Sequence, residues 1–448
     1  MSLLQKYNTP APRYTSYPTV PYWQDTPPTE SDWFSIVEDR LSDDPGLSLY
    51  IHLPFCEQLC TYCGCNTRIT INHAVESPYI DTLLAEWDLY QKRFPTKPEL
   101  RELHIGGGTP TFFHPDEIVR LINGITEHVD VAEDAAFSFE AHPFSTSKAH
   151  LEAMYSVGFR RISVGVQDVG DDIMKLINRR QTRQQVVDTT LMAREAGYTS
   201  VNFDLIYGLP KQTPAHIEAN IELVKALLPE RIAFYSYAHV PWIKPGQRAY
   251  SEEDLPKAEA KRALYEQGRE ALEALGYIEI GMDHFALPSD SLGIALENGT
   301  LHRNFMGYTP VFTPTLIGLG ASSISDAWGM FVQNEKKVET YQQAIAEGHL
   351  PIIRGHELNE EDLVLRQHML DVMCRFEMDW SAPDAQHPSL NQGLARLGEM
   401  QRDGLIRVKP FGVKITEEGK PFLRNAAMAF DARLWREKPE AQLFSQAI

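Results

Sequence analysis

Four of the five cysteines in this 448-residue chain crowd into the ten positions from Cys56 to Cys65, in the stretch YIHLPFCEQLCTYCGCNTR. Their spacing is Cys56-x3-Cys60-x2-Cys63, with Cys65 two residues further on. Three thiolates on a short loop can bind three irons of a 4Fe-4S cluster and leave the fourth iron open to an outside ligand, whereas electron-carrier clusters are usually closed by a fourth cysteine. An open iron is a chemical site. The same thiols with His52 could instead hold tetrahedral zinc, but structural zinc sites usually draw ligand pairs from two loops, and the chain has no second cysteine pair. Cys374, in LDVMCRF on an apolar helical stripe, reads as a core residue. An odd, clustered set fits neither a disulfide framework nor a secreted fold.

Further polar residues close successive apolar runs. They are the glycines of GGGTPT (106 to 111), Glu140 in SFEAHP, Gln167 in SVGVQD, Asp204 in NFDLIYGLP and Tyr237-Ala238-His239 in FYSYAHVP. Three adjacent glycines lack the spacing of a dinucleotide loop and leave backbone groups open to close approach. Singly, Glu140 or Asp204 could equally be a helix cap or an ion-pair partner. A barrel gathers the C-terminal ends of its strands around its active site, so together these residues are expected to share one pocket.

The elements that would position them alternate short β-rich runs with amphipathic helical stretches, the pattern of parallel βα units. Seven runs stand out: 47–53, 100–105, 136–141, 162–167, 201–207, 232–239 and 277–282. Helical stretches such as YIDTLLAEWDLYQKR and QQVVDTTLMAREAG separate them, which predicts an α/β barrel or open barrel over 47–345. Residues 1–46 carry Pro10, Pro12, Pro18, Pro21, Pro27 and Pro28 among Tyr14, Tyr17, Tyr22, Trp23 and Trp33, and are expected to form a packed N-terminal arm. From 346 to 448 the alternation stops. Helices and the hairpin RVKPFGVKIT follow, an order that resembles a winged helix, with packing or a lid as its expected role.

Composition narrows the class. Hydrophobic residues at 43% and charged residues at 23% exclude a disordered or collagen-like chain. A net charge of −19 argues against nucleic acid and anionic membrane surfaces as partners, so an acidic ligand would need a local basic pocket. No apolar run approaches a membrane span and the first residues have no signal-peptide core, so a cytoplasmic protein is expected.

The Cys-x3-Cys-x2-Cys loop, with Tyr62 before its third cysteine, resembles the signature of the radical S-adenosylmethionine (radical SAM) family. Together RYTSYPT, LYIHLPFC, CGCN, HIGGGTPT, GVQD, INRRQ, NFDLIYGLPKQT, MDHFA, LHRNFMGYT and GLGASSIS closely resemble the oxygen-independent coproporphyrinogen III oxidases, or coproporphyrinogen dehydrogenases. The resemblance implies a radical SAM partial (β/α) barrel, one 4Fe-4S cluster and two S-adenosyl-L-methionine (SAM) molecules per chain. It also implies conversion of the ring A and B propionates of coproporphyrinogen III to the vinyls of protoporphyrinogen IX in haem synthesis, with a reductant such as flavodoxin and a monomeric state. Cys56, Cys60 and Cys63 would bind the cluster, and Tyr50, Gly107 and Glu140 the SAM on it. Tyr62, Gly108, Thr109, Gln167, Arg179, Asp204, Ala238 and Ile324 would contact the second SAM. For a substrate with four propionates, Arg13, Lys211, His302 and Arg303 are the candidate cations, each of which could also be a surface charge. His52 could assist proton transfer or shape the pocket.

Haem chaperones related to these enzymes carry Cys-x-Phe where this chain has Cys63-Gly64-Cys65, the oxidase pattern. A radical SAM enzyme that opens or methylates haem is a third reading.

Overall fold

The computed structural model describes residues 2–437 and Phe444. Its centre is a twelve-stranded sheet. In chain order the strands are β1 (Gly46–Leu53), β2 (Glu99–Gly107), β3 (Asp130–Ala141), β4 (Arg161–Gln167), β5 (Ser200–Tyr207), β6 (Arg231–Ser236), β7 (Ile278–Gly281), β8 (His284–Ala286), β9 (Thr315–Leu319), β10 (Ile324–Asp326), β11 (Met330–Asn334) and β12 (Ile352–Glu357). Across the sheet they run β12-β11-β10-β9-β1-β2-β3-β4-β5-β6-β8-β7.

Seven of them, β9 and β1 to β6, pair in parallel, as expected for βα units wrapped by helices. The membership of that set corrects the sequence reading. The run at 277–282 is not a parallel strand: β7 is an antiparallel edge that pairs with β8. The seventh parallel strand is β9, whose Leu47↔Thr315 to Ile51↔Leu319 register sets it beside β1. The run predicted to reach His239 stops as a strand at Ser236.

Alternation along each strand sorts the two faces. In β1, Leu47, Leu49, Ile51 and Leu53 are fully buried in the main core with Leu103, Ile105, Trp87 and Leu121. The intervening Ser48, Tyr50 and His52 occupy the opposite face. Covering helices have defined ends: Arg183–Ala196 starts in a Thr182/Gln185 capping box and stops at Gly197, whose φ of +102° suits a residue without a Cβ.

The N-terminal arm is packed. Tyr7, Tyr14 and Tyr17 lie in a second core with Leu365, Met369, Val372 and Phe422 from the C-terminal part. The Tyr7 hydroxyl donates to Asp403 at 2.6 Å and Tyr14 to Asp431 at 3.0 Å. In the C-terminal region the strands Glu377–Asp379, Ile406–Lys409 and Gly412–Ile415 form a small sheet beside the helices. The large sheet continues past residue 346, since β12 pairs with β11. Among the described residues no helix is long and apolar enough to cross a membrane.

Candidate active site

The cysteine loop leaves β1 through the short strand Phe55–Cys56 and is strapped to the segment after the helix Asp171–Leu176. Thr61 N donates to the Ile177 carbonyl at 3.0 Å, and Asn178 Nδ2 to the Leu59 carbonyl at 2.7 Å. Cys56, Cys60 and Cys63 thereby line one cavity of about 240 Å³ with Tyr62, Gly107, Gly108, Thr109, Glu140, Gln167, Arg179 and Asp204. Of the strand ends expected to share a pocket, the glycine turn, Glu140, Gln167 and Asp204 share it, whereas Tyr237, Ala238 and His239 do not line it.

Each thiol has a distinct partner. Cys56 Sγ is 3.3 Å from Thr109 Oγ1, and Arg179 Nη1 donates to Cys60 Sγ at 3.7 Å and to the Tyr62 hydroxyl at 3.2 Å. Cys65 N donates to Cys63 Sγ at 3.4 Å. Hydrogen bonding from Cys65 draws the Cys63 thiol down and lifts that of Cys65. Burial pushes Cys56 up to about 12, a charge penalty that metal binding would remove.

Glycines set the opposite wall. A Cβ on Gly108 would sit 2.6 Å from the Pro54 carbonyl carbon and oxygen, and one on Gly107 (φ +116°) would meet the His52 ring. Only glycine lets this turn close on the cysteine loop. Gly107 N donates to Glu140 at 3.2 Å. His52 Nε2 donates to the Asn66 carbonyl at 2.9 Å, which leaves Nδ1 to accept from the Tyr50 hydroxyl at 3.0 Å. Burial lowers the His52 pKa and keeps the ring neutral, a positioning arrangement.

Asp204 accepts from Ser163 at 2.8 Å and Asn202 at 2.9 Å, and burial with nearby Glu140 raises it to about 6. Asp204, Glu140, Ser163 and Tyr235 also line an inner cavity of about 170 Å³, so the two spaces share a wall. Tyr235 and Ser163 escaped the sequence reading, although both stand at inward positions of strands already recognised. Tyr237 instead packs with Ile173, Met174 and Ile177. Ala238 reaches the loop through Gln247, whose amide donates to both the Ala238 and Tyr62 carbonyls. Ile324 packs beside Trp23, Phe331 and Leu358, on the β10 side of the sheet.

The candidate cations separate. Lys211 is exposed and pairs with Asp254 at 3.7 Å, outside the cavity. His302 is wedged against Phe312 and Trp328, and burial with neighbouring Arg366 lowers it to about 3, so it carries no charge to offer a carboxylate. Arg13 pairs with Asp283 at 3.1 Å, near Tyr235. Arg303 is buried and touches the Arg13 carbonyl at 3.5 Å.

The donor set suits a cluster with an open iron: Cys56, Cys60 and Cys63 line one cavity, Cys65 at its edge donates its backbone N–H to Cys63 Sγ, and glycines clear space opposite. An open parallel barrel with this loop at its strand ends is the arrangement of the radical SAM superfamily, whose family model matches residues 50–224. The chain is 36% identical over 453 residues to oxygen-independent coproporphyrinogen III oxidase of Salmonella typhimurium, covering 100% of this chain and 98% of that one. It is 37% identical over 454 residues to the Escherichia coli enzyme of that name, again covering 100% and 98%. The solved structure of the Escherichia coli coproporphyrinogen III oxidase, described as a radical SAM enzyme, superposes with a TM-score of 0.88 at 35% identity, over 96% of this chain and 98% of that one. The chain therefore belongs to the oxygen-independent coproporphyrinogen III oxidase family.

Proposed function

We propose that this chain oxidatively decarboxylates the ring A and B propionates of coproporphyrinogen III to the vinyls of protoporphyrinogen IX, without oxygen. The observation that carries the reading is the single cavity in which Cys56, Cys60 and Cys63 meet Gly107, Glu140 and Asp204, within a chain matched over its whole length. Cys56, Cys60 and Cys63 would hold a 4Fe-4S cluster with SAM on its open iron, which, given one electron from the reductant and with release of methionine, would supply a 5′-deoxyadenosyl radical able to take a hydrogen atom from the propionate β-carbon; loss of carbon dioxide to give the vinyl would leave one electron for a one-electron acceptor.

The chain's own residues bind and orient. Tyr50, Gly107 and Glu140 hold the SAM at the cluster: a carboxylate fixed by a backbone N–H suits an ammonium group. Tyr62, Gly108, Thr109, Gln167, Arg179, Asp204, Ala238 and Ile324 are assigned to a second SAM. The lining by Asp204, Gln167 and Arg179 supports that assignment, and Ile324 is its least supported member. His52 positions Tyr50 through its Nδ1. The protein works as a cytoplasmic monomer with a reductant such as flavodoxin.

The test is anaerobic reconstitution of Cys→Ser variants followed by porphyrin analysis. Replacement of Cys56, Cys60 or Cys63 removes the cluster chromophore and the product, whereas Cys65→Ser retains both. A Cys65→Ser protein without a cluster overturns the ligand set.

A further inference from the structure

Of the buried arginines, Arg231 and Arg366 hold carboxylates and Arg179 and Arg424 donate to backbone or amide oxygens, whereas Arg303, next to Tyr308 of the inner cavity, keeps two nitrogens without a partner among the described residues. Arg231 pairs with Asp290 at 2.7 Å, Arg366 with Asp326, and Arg13 with Asp283 at 3.1 Å. Arg303 is 5% exposed, yet its Nε and Nη1 have no partner among the described residues. Its one hydrogen bond runs from Nη2 to the Arg13 carbonyl at a long 3.5 Å, and its guanidinium lies 4.5 Å from the centre of the Tyr308 ring. A guanidinium taken out of water without an anion is strongly unfavourable, so the fold carries here a charge that a ligand would satisfy.

The surroundings define that ligand. Tyr308 and His284 both line the inner cavity, which shares Glu140, Asp204 and Tyr235 with the cysteine cavity or its wall. His284 Nε2 lies 3.3 Å from the Tyr235 hydroxyl, while His284 Nδ1 is also buried and unpartnered. Each bidentate edge of the guanidinium joins Nη2 to one of the unpartnered nitrogens, Nε or Nη1, so either edge matches a carboxylate once the long bond to the Arg13 carbonyl gives way.

Building on the function proposed above, we infer that Arg303 is the buried receptor for one propionate carboxylate of the substrate. The carboxylate takes the place of the Arg13 carbonyl at the guanidinium. The segment around Arg13 therefore lies over the receptor and must shift as substrate enters, which gives the N-terminal arm a part in substrate binding. The neutral ester of the same macrocycle lacks the recognised group.

The experiment is anaerobic equilibrium binding to the cluster-loaded full chain, with coproporphyrinogen III and its tetramethyl ester as probes. Arg303→Gln is expected to weaken the tetra-acid about tenfold or more, in line with a charge-assisted hydrogen bond, and to leave the ester's affinity where it was. Arg303→Lys keeps the charge without the fork and should fall between. An unchanged tetra-acid affinity in Arg303→Gln, or an equal loss for acid and ester, overturns the assignment, the second outcome marking a purely structural role. Should Arg303→Gln fail to load cluster, the acid-to-ester comparison in Arg303→Lys decides. Loss of the parent reading shows separately, as wild-type protein that binds the tetra-acid and releases no carbon dioxide from it.

Discussion

Arg179 Nη1 stands 3.7 Å from Cys60 Sγ, while the same guanidinium is pinned by Gly165 O at 2.6 Å and Gln181 Oε1 at 2.8 Å. The end of β4 thereby holds a permanent positive charge beside a cluster thiol. Positive charge and hydrogen bonds at the sulfurs favour the electron-rich state of an iron-sulfur centre. Arg179→Met should lower the midpoint potential of the reconstituted cluster. An EPR-monitored redox titration that finds the potential unmoved or raised contradicts this role.

Asp204 gives a pH prediction with a definite sign. Burial raises its pKa to about 6, so the carboxyl takes up a proton as pH falls through that value. If its ionised form receives the amino group or a hydroxyl of the second SAM, affinity for that molecule falls below about pH 6 and levels off above it. Asp204→Asn should bind about one SAM per cluster at every pH. In stability the sign is opposite: a folded-state pKa above the unfolded value makes this group's contribution full at low pH and lost as pH rises from about 4 to about 6. Equilibrium binding between pH 5 and 8 checks the first statement, and a flat profile in wild type contradicts it.

Two glycines of the site should respond differently to a methyl group. In Gly108→Ala the new Cβ meets Pro54 backbone at 2.6 Å, and backbone cannot swing aside; around Gly64 nothing lies within 4 Å. Gly108→Ala should cost about 1–3 kcal/mol of stability and depress cluster loading, with Gly64→Ala close to wild type. Thermal unfolding and iron content measure both.

Much of this was readable from residue order alone, because β1 to β6 carry both their apolar face and their inward polar residues within a few positions. LSLYIHL already alternates, and Tyr50 and His52 sit inward as the period requires. The strand β9 was missed for a physical reason: five residues between Pro314 and Gly320 have too little pattern, and their pairing with β1 is a contact between distant parts of the chain. Charge state was hidden in the same way. His302 and Arg303 are adjacent, yet one is a neutral ring wedged between aromatics and the other a buried cation with no ion-pair partner among the described residues, a difference set wholly by tertiary neighbours.

That difference predicts which candidate cations matter. Lys211→Ala removes an exposed charge outside the cavity, and His302→Phe removes a ring that carries no charge. Both should leave the KM for coproporphyrinogen III within about twofold of wild type, as for substitutions away from a binding contact. Anaerobic initial-rate measurements test it, and a tenfold rise in either variant restores that residue to the substrate site.

Oxidation of coproporphyrinogen III at the three-thiol cavity is measured most directly as carbon dioxide released per porphyrinogen, in an anaerobic reaction with SAM and a strong reductant, alongside chromatography of the tetrapyrrole. Two carbon dioxide molecules per macrocycle are expected, with protoporphyrinogen IX as product, and neither from Cys63→Ser. Tetrapyrrole recovered unchanged, with no carbon dioxide from protein that has a full cluster and cleaves SAM, would contradict that activity and favour a haem-carrying role.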